Sequence, residues 1–297
     1  MSDYITRRVA FGEGASLSVT GLTLSFNYPR SAEPTARENV SSEFVLTGGR
    51  DMKRVALLQE EAEMRVLCDL MSMYPLYYAL GSRDLSTVPV TIVPSSTLPW
   101  LTIARELEPV ESGEYDIFRI WGVKVDSAEI TIERGEVASC EFTFIGKRGT
   151  VETGDLNVST DFTKDPLYYS DFAIKVDNLE LEEVGRFVLS IDNNLARRLS
   201  ASTIAGYGAY HILEGGLDIT GRILVGKYAL TMLNKVLGRS GNHTIQVIYN
   251  KNHGGNVSGT ITMPNVWFAE YPERIRGIEP YEVEVPLIAL PPSYTES

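Results

Sequence analysis

Residues Trp121 to Arg148 read WGVKVDSAEITIERGEVASCEFTFIGKR, and the reading of this stretch decides the fold. Successive side chains on a strand point to opposite faces. Ala128, Ile130 and Ile132 therefore share one face, and Glu129, Thr131 and Glu133 share the other. Arg134-Gly135 marks a turn. Beyond it Cys140, Phe142 and Phe144 alternate with Glu141, Thr143 and Ile145. The stretch predicts two strands joined by a turn, with one apolar face for a core and one carboxylate- and threonine-rich face for water. It holds no histidine, no clustered metal ligands and no nucleophile beside a base.

The rest of the chain supports a protein with a sizeable core. Its 297 residues are 43% apolar and 22% charged, an ordinary globular composition sufficient for one large domain or two ordinary ones. The net charge of -12, from 27 basic and 39 acidic residues, argues against tight nucleic-acid binding, which rests on Lys and Arg displacing counterions from phosphates. It is compatible with a surface that repels DNA. Cys68 and Cys140 are far apart and in no C-x-x-C spacing, which reads as two buried or half-buried free thiols of a reducing compartment. The start, MSDYITRRVAFGEG, carries no apolar stretch of a secretory signal, and no run approaches the ~18 apolar residues of a membrane span. A soluble, cytosolically made protein is expected.

Hydrophobic periodicity orders the elements. Residues 15–26 alternate as a strand, residues 27–41 read as a long exposed loop, and a short strand, SEFVL, follows. Met52 to about Ser72 reads as a helix. Its face of Val55, Leu58, Ala62, Leu67, Leu70 and Met71 is expected to pack on the sheet against Phe142 and Phe144. Strands follow in LPWLTIARELE, YDIFRIWGVKVDSAEITIE and EVASCEFTFIGK. The second half repeats this order: VGRFVLSIDNN, a long loop over 194–215, GLDITGRILVG, a shorter helix in KYALTMLNKVLG, then HTIQVIYNK, NVSGTITMPNVWFAEY and YEVEVPLIAL, with PPSYTES as a frayed tail. The boundary is placed near 150–165, giving units 1–160 and 161–297.

Chemistry is hard to find. His211, His243 and His253 have no partners at metal-ligand spacing, and His253-Gly254-Gly255 reads as a hairpin turn, there being no G-x-S-x-G nucleophile to accompany it. FGEGAS at 11–16 lacks the spacing and following helix of a phosphate loop. SIDNNL at 190–195 lacks the acidic spacing and distal Glu of a calcium loop and reads as a strand end. Glu60-Glu61 and Glu182-Glu183 point different ways on either element and form no acid/base pair. Short basic clusters, TRR, GKR and LARR, lack the interleaved aromatics of a nucleic-acid surface. No enzyme, metal or cofactor is expected.

Three segments carry a resemblance: GVKVDSAEITIERGEVASCEFTFIGK, RFVLSIDNNLARR followed by GGLDITGRI, and ITMPNVWFAEYPE before the final strand. In this order the chain resembles the tail tube proteins of tailed phages and archaeal tailed viruses, in the long form with two tube-fold units, from about residue 15 to 290. The resemblance implies a mainly β (α+β) fold of two tandem units, each a β-sandwich or barrel flanked by one helix. It implies a structural virion protein that assembles into stacked rings and forms a conduit for DNA ejection. A trimer with pseudo-sixfold symmetry is the simplest ring, a hexamer the alternative. Implied partners are other copies, tape-measure, tail terminator and tail-tip proteins; genomic DNA passes without specific binding, and no membrane is involved. The implied location is the virion tail, after assembly in the host cytoplasm.

An acidic lumen keeps phosphates off the wall, which assigns Glu129, Thr131, Glu133, Glu141 and Thr143 to the bore. Ring stacking is assigned to the N-terminal segment and loops 27–41 and 194–215, with Arg30, Glu38, Arg197 and Arg198. The alternatives are a tube-like or tail-tip ring protein of a contractile injection system, a carbohydrate-binding β-sandwich, and an enzyme whose site carries no recognisable motif.

Overall fold

A computed structural model describes residues 8–18, 22, 24–25, 29–43, 54–84, 90–111, 114–156, 165–199, 209–226, 242–251, 257–268 and 283–296. The order begins β1 (Val9–Glu13), β2 (Leu24–Ser25), β3 (Pro29–Glu43), β4 (Arg54–Asp69), the short helix α1 (Leu76–Leu80), β5 (Gly81–Asp84), β6 (Val90–Pro94) and β7 (Leu101–Glu111). It continues through β8 (Glu114–Glu133), β9 (Ser139–Gly146), β10 (Arg148–Gly154), β11 (Phe172–Val176), β12 (Leu179–Glu180), β13 (Val184–Asp192) and β14 (Ala196–Leu199). β15 (Ala209–Leu213), β16 (Asp218–Val225), β17 (His243–Lys251), β18 (Val257–Phe268), β19 (Val283–Ala289) and β20 (Ser293–Glu296) complete it. The fold is mainly β, as expected, and the strands of the two sheets described next pair antiparallel.

The long strand β8 organises the molecule because it serves two sheets. Its first part pairs with β7 and β10, in a sheet ordered β2–β1–β7–β8–β10. Its last part pairs with β9 and β13, in a sheet ordered β3–β4–β9–β8–β13–β16–β19. Gly122 marks the change with a φ of +56°, and a Cβ there would lie 2.8 Å from Lys147 Cδ, so both backbone and space favour glycine. The second sheet continues from β19 to β18, which carries β17, β11 and β12 along one edge and β20, β6 and β5 along the other.

α1 touches both β6 and β8, so the sheet curls until distant strands meet across it. Pro75 starts that helix, and Gly81, at φ +98°, ends it. The larger hydrophobic cluster of the interior includes Met64, Val66, Ile130, Ile132, Phe142, Phe144, Phe187, Ile223, Tyr249, Ile261 and Met263, and a smaller one gathers Ala10, Leu22, Ala104, Ile117 and Leu156. Each large aliphatic side chain so buried contributes about 1.5–3 kcal/mol. Tyr169–Asp171 forms one turn of 3-10 helix beside the larger cluster.

The hairpin read from the sequence is present: β8 and β9 pair through a turn at Arg134-Gly135, with Gly135 at φ +85°. Ala128, Ile130, Ile132, Cys140, Phe142 and Phe144 are buried. Strands also stand where expected at β7, β13, β16, β17, β18 and β19.

The segment before them is different. Residues 29–43, placed mostly in a loop, form β3, and residues 54–69, placed in a helix, form β4. In β4 the buried residues are Ala62, Met64, Val66 and Cys68, every second one, while Glu63, Arg65, Leu67 and Asp69 lie on the other side. Over Ala62–Asp69, helix propensities of a few tenths of a kcal/mol per residue do not outweigh pairing to a strand on each side. The expected helical stripe therefore does not exist. Val55 and Leu58 lie on the outer part of β4, Leu67 stands opposite Glu141, Leu70 is buried, and Met71 is half-buried beyond the strand end. Phe142 and Phe144 are core residues on the face away from Leu67. Pro29 and Pro34 fit β3, which among the described residues pairs only with β4 and so forms a sheet edge.

Three further expectations change. The loop over 194–215 contains a β14–β15 ribbon. The tail after Pro292 is β20, which stitches β18 to β6. Of the strand expected over 15–26, the described residues show β2 at Leu24–Ser25 and no strand at 15–18, and β1, its partner, lies before it. The expected second helix at 227–238, the turn at His253 and the unit boundary within 157–164 lie outside the described residues. β8–β13 pairing joins the two halves across that boundary.

Candidate functional site

The outward face of the second sheet gathers the polar residues of six strands. Register alone aligns them, because directly opposed residues of an antiparallel pair share a face. One row runs Asp69, Ser139, Thr131, Val188, Arg222, Pro286. The next runs Leu67, Glu141, Glu129, Ser190, Thr220, Ile288. Flanking rows place Glu133, Arg186, Leu224 and Glu284 at one end, and Arg65, Thr143, Ser127, Asp192 and Asp218 at the other. With Glu63, eight carboxylates (Glu63, Asp69, Glu129, Glu133, Glu141, Asp192, Asp218, Glu284) share the face of these six strands with three guanidiniums (Arg65, Arg186, Arg222), and a fourth, Arg30 of the neighbouring β3, pairs with Asp69.

Glu129, Thr131, Glu133, Glu141 and Thr143 are thus brought together on one face. Glu129 stands directly across from Glu141, a like-charge pair that costs a few tenths of a kcal/mol. Ser190 Oγ donates to Glu129 Oε2 at 3.1 Å. Arg186 lies 3.6 Å from Glu133, and Arg222 lies 3.3 Å from Glu284. These exposed ion pairs reduce the acidic excess without cancelling it. The arginines and the further carboxylates were legible in principle: VGRFVLSID and DITGRILV alternate in the same way as AEITIE.

One rim of this face carries two ribbons. Beyond Ala62, the last β4 residue paired to β9, β3 and β4 continue to Glu43 and Arg54 paired only with each other among the described residues. At ~3.3 Å per residue the part from Arg54 to Glu61 extends about 25 Å. The β14–β15 ribbon leaves the same rim after Asp192, and Arg197 Nη2 donates to Ala62 O at 2.9 Å, so the two ribbons touch at their bases.

The stacking residues are not all together. Arg197 and Arg198 lie on β14, and Glu38 lies on the outer β3 opposite Glu60. Arg30 sits at the other rim, 2.5 Å from Asp69.

Buried polar groups hold the second ribbon in place. Lys124, 3% exposed, bonds through Nζ to Glu214 Oε1 and lies 4.1 Å from the Trp100 ring centroid. Leu98 N–H also donates to Glu214. Burial pushes the Glu214 carboxyl up, but the bonds from Lys124 and from backbone N–H groups outweigh it and hold the carboxyl below its ordinary range. Lys147, also over Trp100, is pushed down by burial and by the charge of Lys124. Asn193 Nδ2 donates to Ala79 O and Val125 O, and Asn194 Nδ2 to Gly216 O and Asp218 Oδ2, so the SIDNNL amides serve the turn. Sequence reading missed the Lys124–Glu214 pair, whose members lie 90 residues apart.

Little in the described residues suggests reaction chemistry. No group of three or more His, Cys, Asp or Glu able to hold a metal occurs among them. His243 Nδ1 lies 2.8 Å from Asp177 Oδ2 and its ring packs on Phe268. Cys68 and Cys140 are free, buried and directly opposed; burial pushes the Cys68 thiol up to about 12 and Cys140 well above its usual value, the profile of inert thiols. Among the described residues no helix is long and apolar enough to cross a membrane.

A search of curated proteins found no match. A model of the phage tail tube protein family matches residues 6–264, from before β1 to within β18. The chain belongs to the phage tail tube protein family, whose members are structural virion components.

Proposed function

From that membership we propose that the chain assembles into rings that stack into a tube and conduct DNA out of the capsid, the acidic sheet face lining the bore. Tail tube proteins generally self-assemble and associate with other tail proteins. The observation that carries the bore assignment is the continuous face of eight carboxylates and three arginines across β4, β9, β8, β13, β16 and β19. A wall of that charge repels phosphates, so a moving duplex finds no strong resting place.

The face takes β4, β9 and β8 from the first half and β13, β16 and β19 from the second, joined at the β8–β13 pairing. That division favours two tube-fold units per chain and hence three chains around a pseudo-sixfold ring. The two ribbons at one rim are suited to reach the next ring, which gives stacking a direction. Arg197, Arg198 and Glu38 remain in that role; Arg30, at the opposite rim, is assigned to the receiving side. Tape-measure, terminator and tip proteins are the partners expected at the bore and ends, with assembly in the host cytoplasm.

Electron microscopy of the purified chain is the test. Uniform rings or tubes are expected, and in a reconstruction Glu129, Glu133 and Glu141 face the bore. A stable monomer that binds glycans would overturn the assembly, and these carboxylates on the outer or inter-ring surface would overturn the lining.

A further inference from the structure

We infer that Trp267, Ile288 and Leu290 form the contact through which one copy of the chain meets the next around the ring, a step that rests on the assembly reading above. Trp267 on β18 stands directly opposite Ile288 on β19, so both project from the same face, and Leu290 follows two residues on. They are 44%, 52% and 45% exposed, whereas the alternate residues Val266, Leu287 and Ala289 are buried. Strand alternation would place polar residues at these outward positions, as it does at Thr220, Ser190, Glu129 and Glu141 in the same row. The other apolar residues of this face, Leu67, Val188, Leu224 and Pro286, are buried or half-buried, so three large exposed apolar side chains side by side mark an interaction surface, and tryptophan is among the residue types enriched at the centre of such contacts.

The occupant is a second copy. The patch lies at the margin of the proposed bore face, where the sheet passes from β19 to β18, so it would meet the next copy where the wall passes from one chain to the other; the Val283–Pro286 edge of β19 has no partner among the described residues on the side away from β16. The other end of that sheet is the β3 edge. In a self-assembling family, a ring closes when this corner of one copy meets the β3 edge of its neighbour, two stretches that are unlike and, among the described residues, incompletely paired. Nucleic acid and an anionic membrane fit poorly, because Glu284 and Asp218 flank the patch.

The test uses the full-length chain with Trp267→Ala, Ile288→Asp and, as a control, Val151→Asp on β10, where the side chain is 59% exposed on the other sheet. Oligomer mass is followed by mass photometry and sedimentation velocity over a concentration series. Wild type and Val151→Asp should form the same ring, and the two patch variants should associate at least tenfold more weakly with unchanged circular dichroism. Rings of equal stability in all four proteins overturn this contact and leave the tube reading standing. A wild-type chain that stays monomeric at every concentration overturns both.

Discussion

β4 is one strand with two different lives. From Ala62 to Asp69 it lies between β3 and β9, and its alternate residues enter the core. From Arg54 to Glu61, among the described residues, it pairs with β3 alone. The backbone geometry is continuous, so the contrast isolates what a sheet contributes beyond a hairpin: a second partner strand. A two-stranded ribbon by itself is marginally stable in water. A ribbon this long makes physical sense only if something else receives it, which is the role proposed for it in stacking.

The sharpest way to break that comparison is the same substitution in both halves. Val66→Pro places a residue without an N–H at a fully buried position paired to Ala32 and Phe142. A loss of at least about 3 kcal/mol is expected, enough to prevent folding, and the loss of cooperative thermal unfolding reports it. A Val66→Pro protein with a normal melting transition would mean that β4 is not an interior strand.

Next in size is Glu214→Gln, which leaves the Lys124 ammonium buried without its counter-charge. Roughly 2–3 kcal/mol should disappear from urea unfolding at pH 7. The sign with pH follows from the depressed carboxyl of Glu214. Its contribution is present above the unfolded value of about 4.3 and is lost as pH falls through the lower folded value. The gap between wild type and variant should therefore be full at neutral pH and close below about pH 4. A constant gap from pH 7 to pH 3 would show that the carboxylate charge is not what steadies the ribbon.

These residues also show what the sequence made legible. AEITIE and SCEFTF disclosed their faces because each strand is interior and has one apolar and one wet side. In β4 the adjacent Glu60-Glu61 and the leucines at 57 and 58 blur the alternation in the outer half, while Leu, Gln, Glu and Met supply helix propensity. The interior half does alternate, Ala62, Met64, Val66, Cys68, but is too short to override that signal when read alone. The acidic face was legible strand by strand. That Glu129 meets Glu141 and that Arg186 meets Glu133 depends on register and on the β8–β13 pairing, which no local pattern encodes. The tail gave no sign of β20, since Ser-Tyr-Thr-Glu after Pro291-Pro292 has almost nothing apolar to alternate.

A smaller effect tests whether the acidic face is kept at a cost. Glu141→Gln removes the like charge across from Glu129 and should stabilise the monomer by about 0.5 kcal/mol at low salt. The gain should shrink as salt approaches physiological strength. A loss of stability would mean that Glu141 has an attractive partner outweighing Glu129. A gain would be informative for function, because a residue pair that opposes folding yet lies on the proposed bore serves something other than the fold.

The smallest expected effect on folding is Leu57→Pro, at a position paired to Val40 in the outer ribbon. The outer pairs open locally at almost no cost to the rest of the chain, so global stability should change by less than about 0.5 kcal/mol. If the ribbon exists to reach the next ring, the same variant should still form rings and fail to form tubes under the electron microscope. Full tubes from Leu57→Pro would remove the stacking role from this half of β4. A large fall in melting temperature would mean that the outer ribbon is held by the body after all, and the contrast between the two halves would have to be withdrawn.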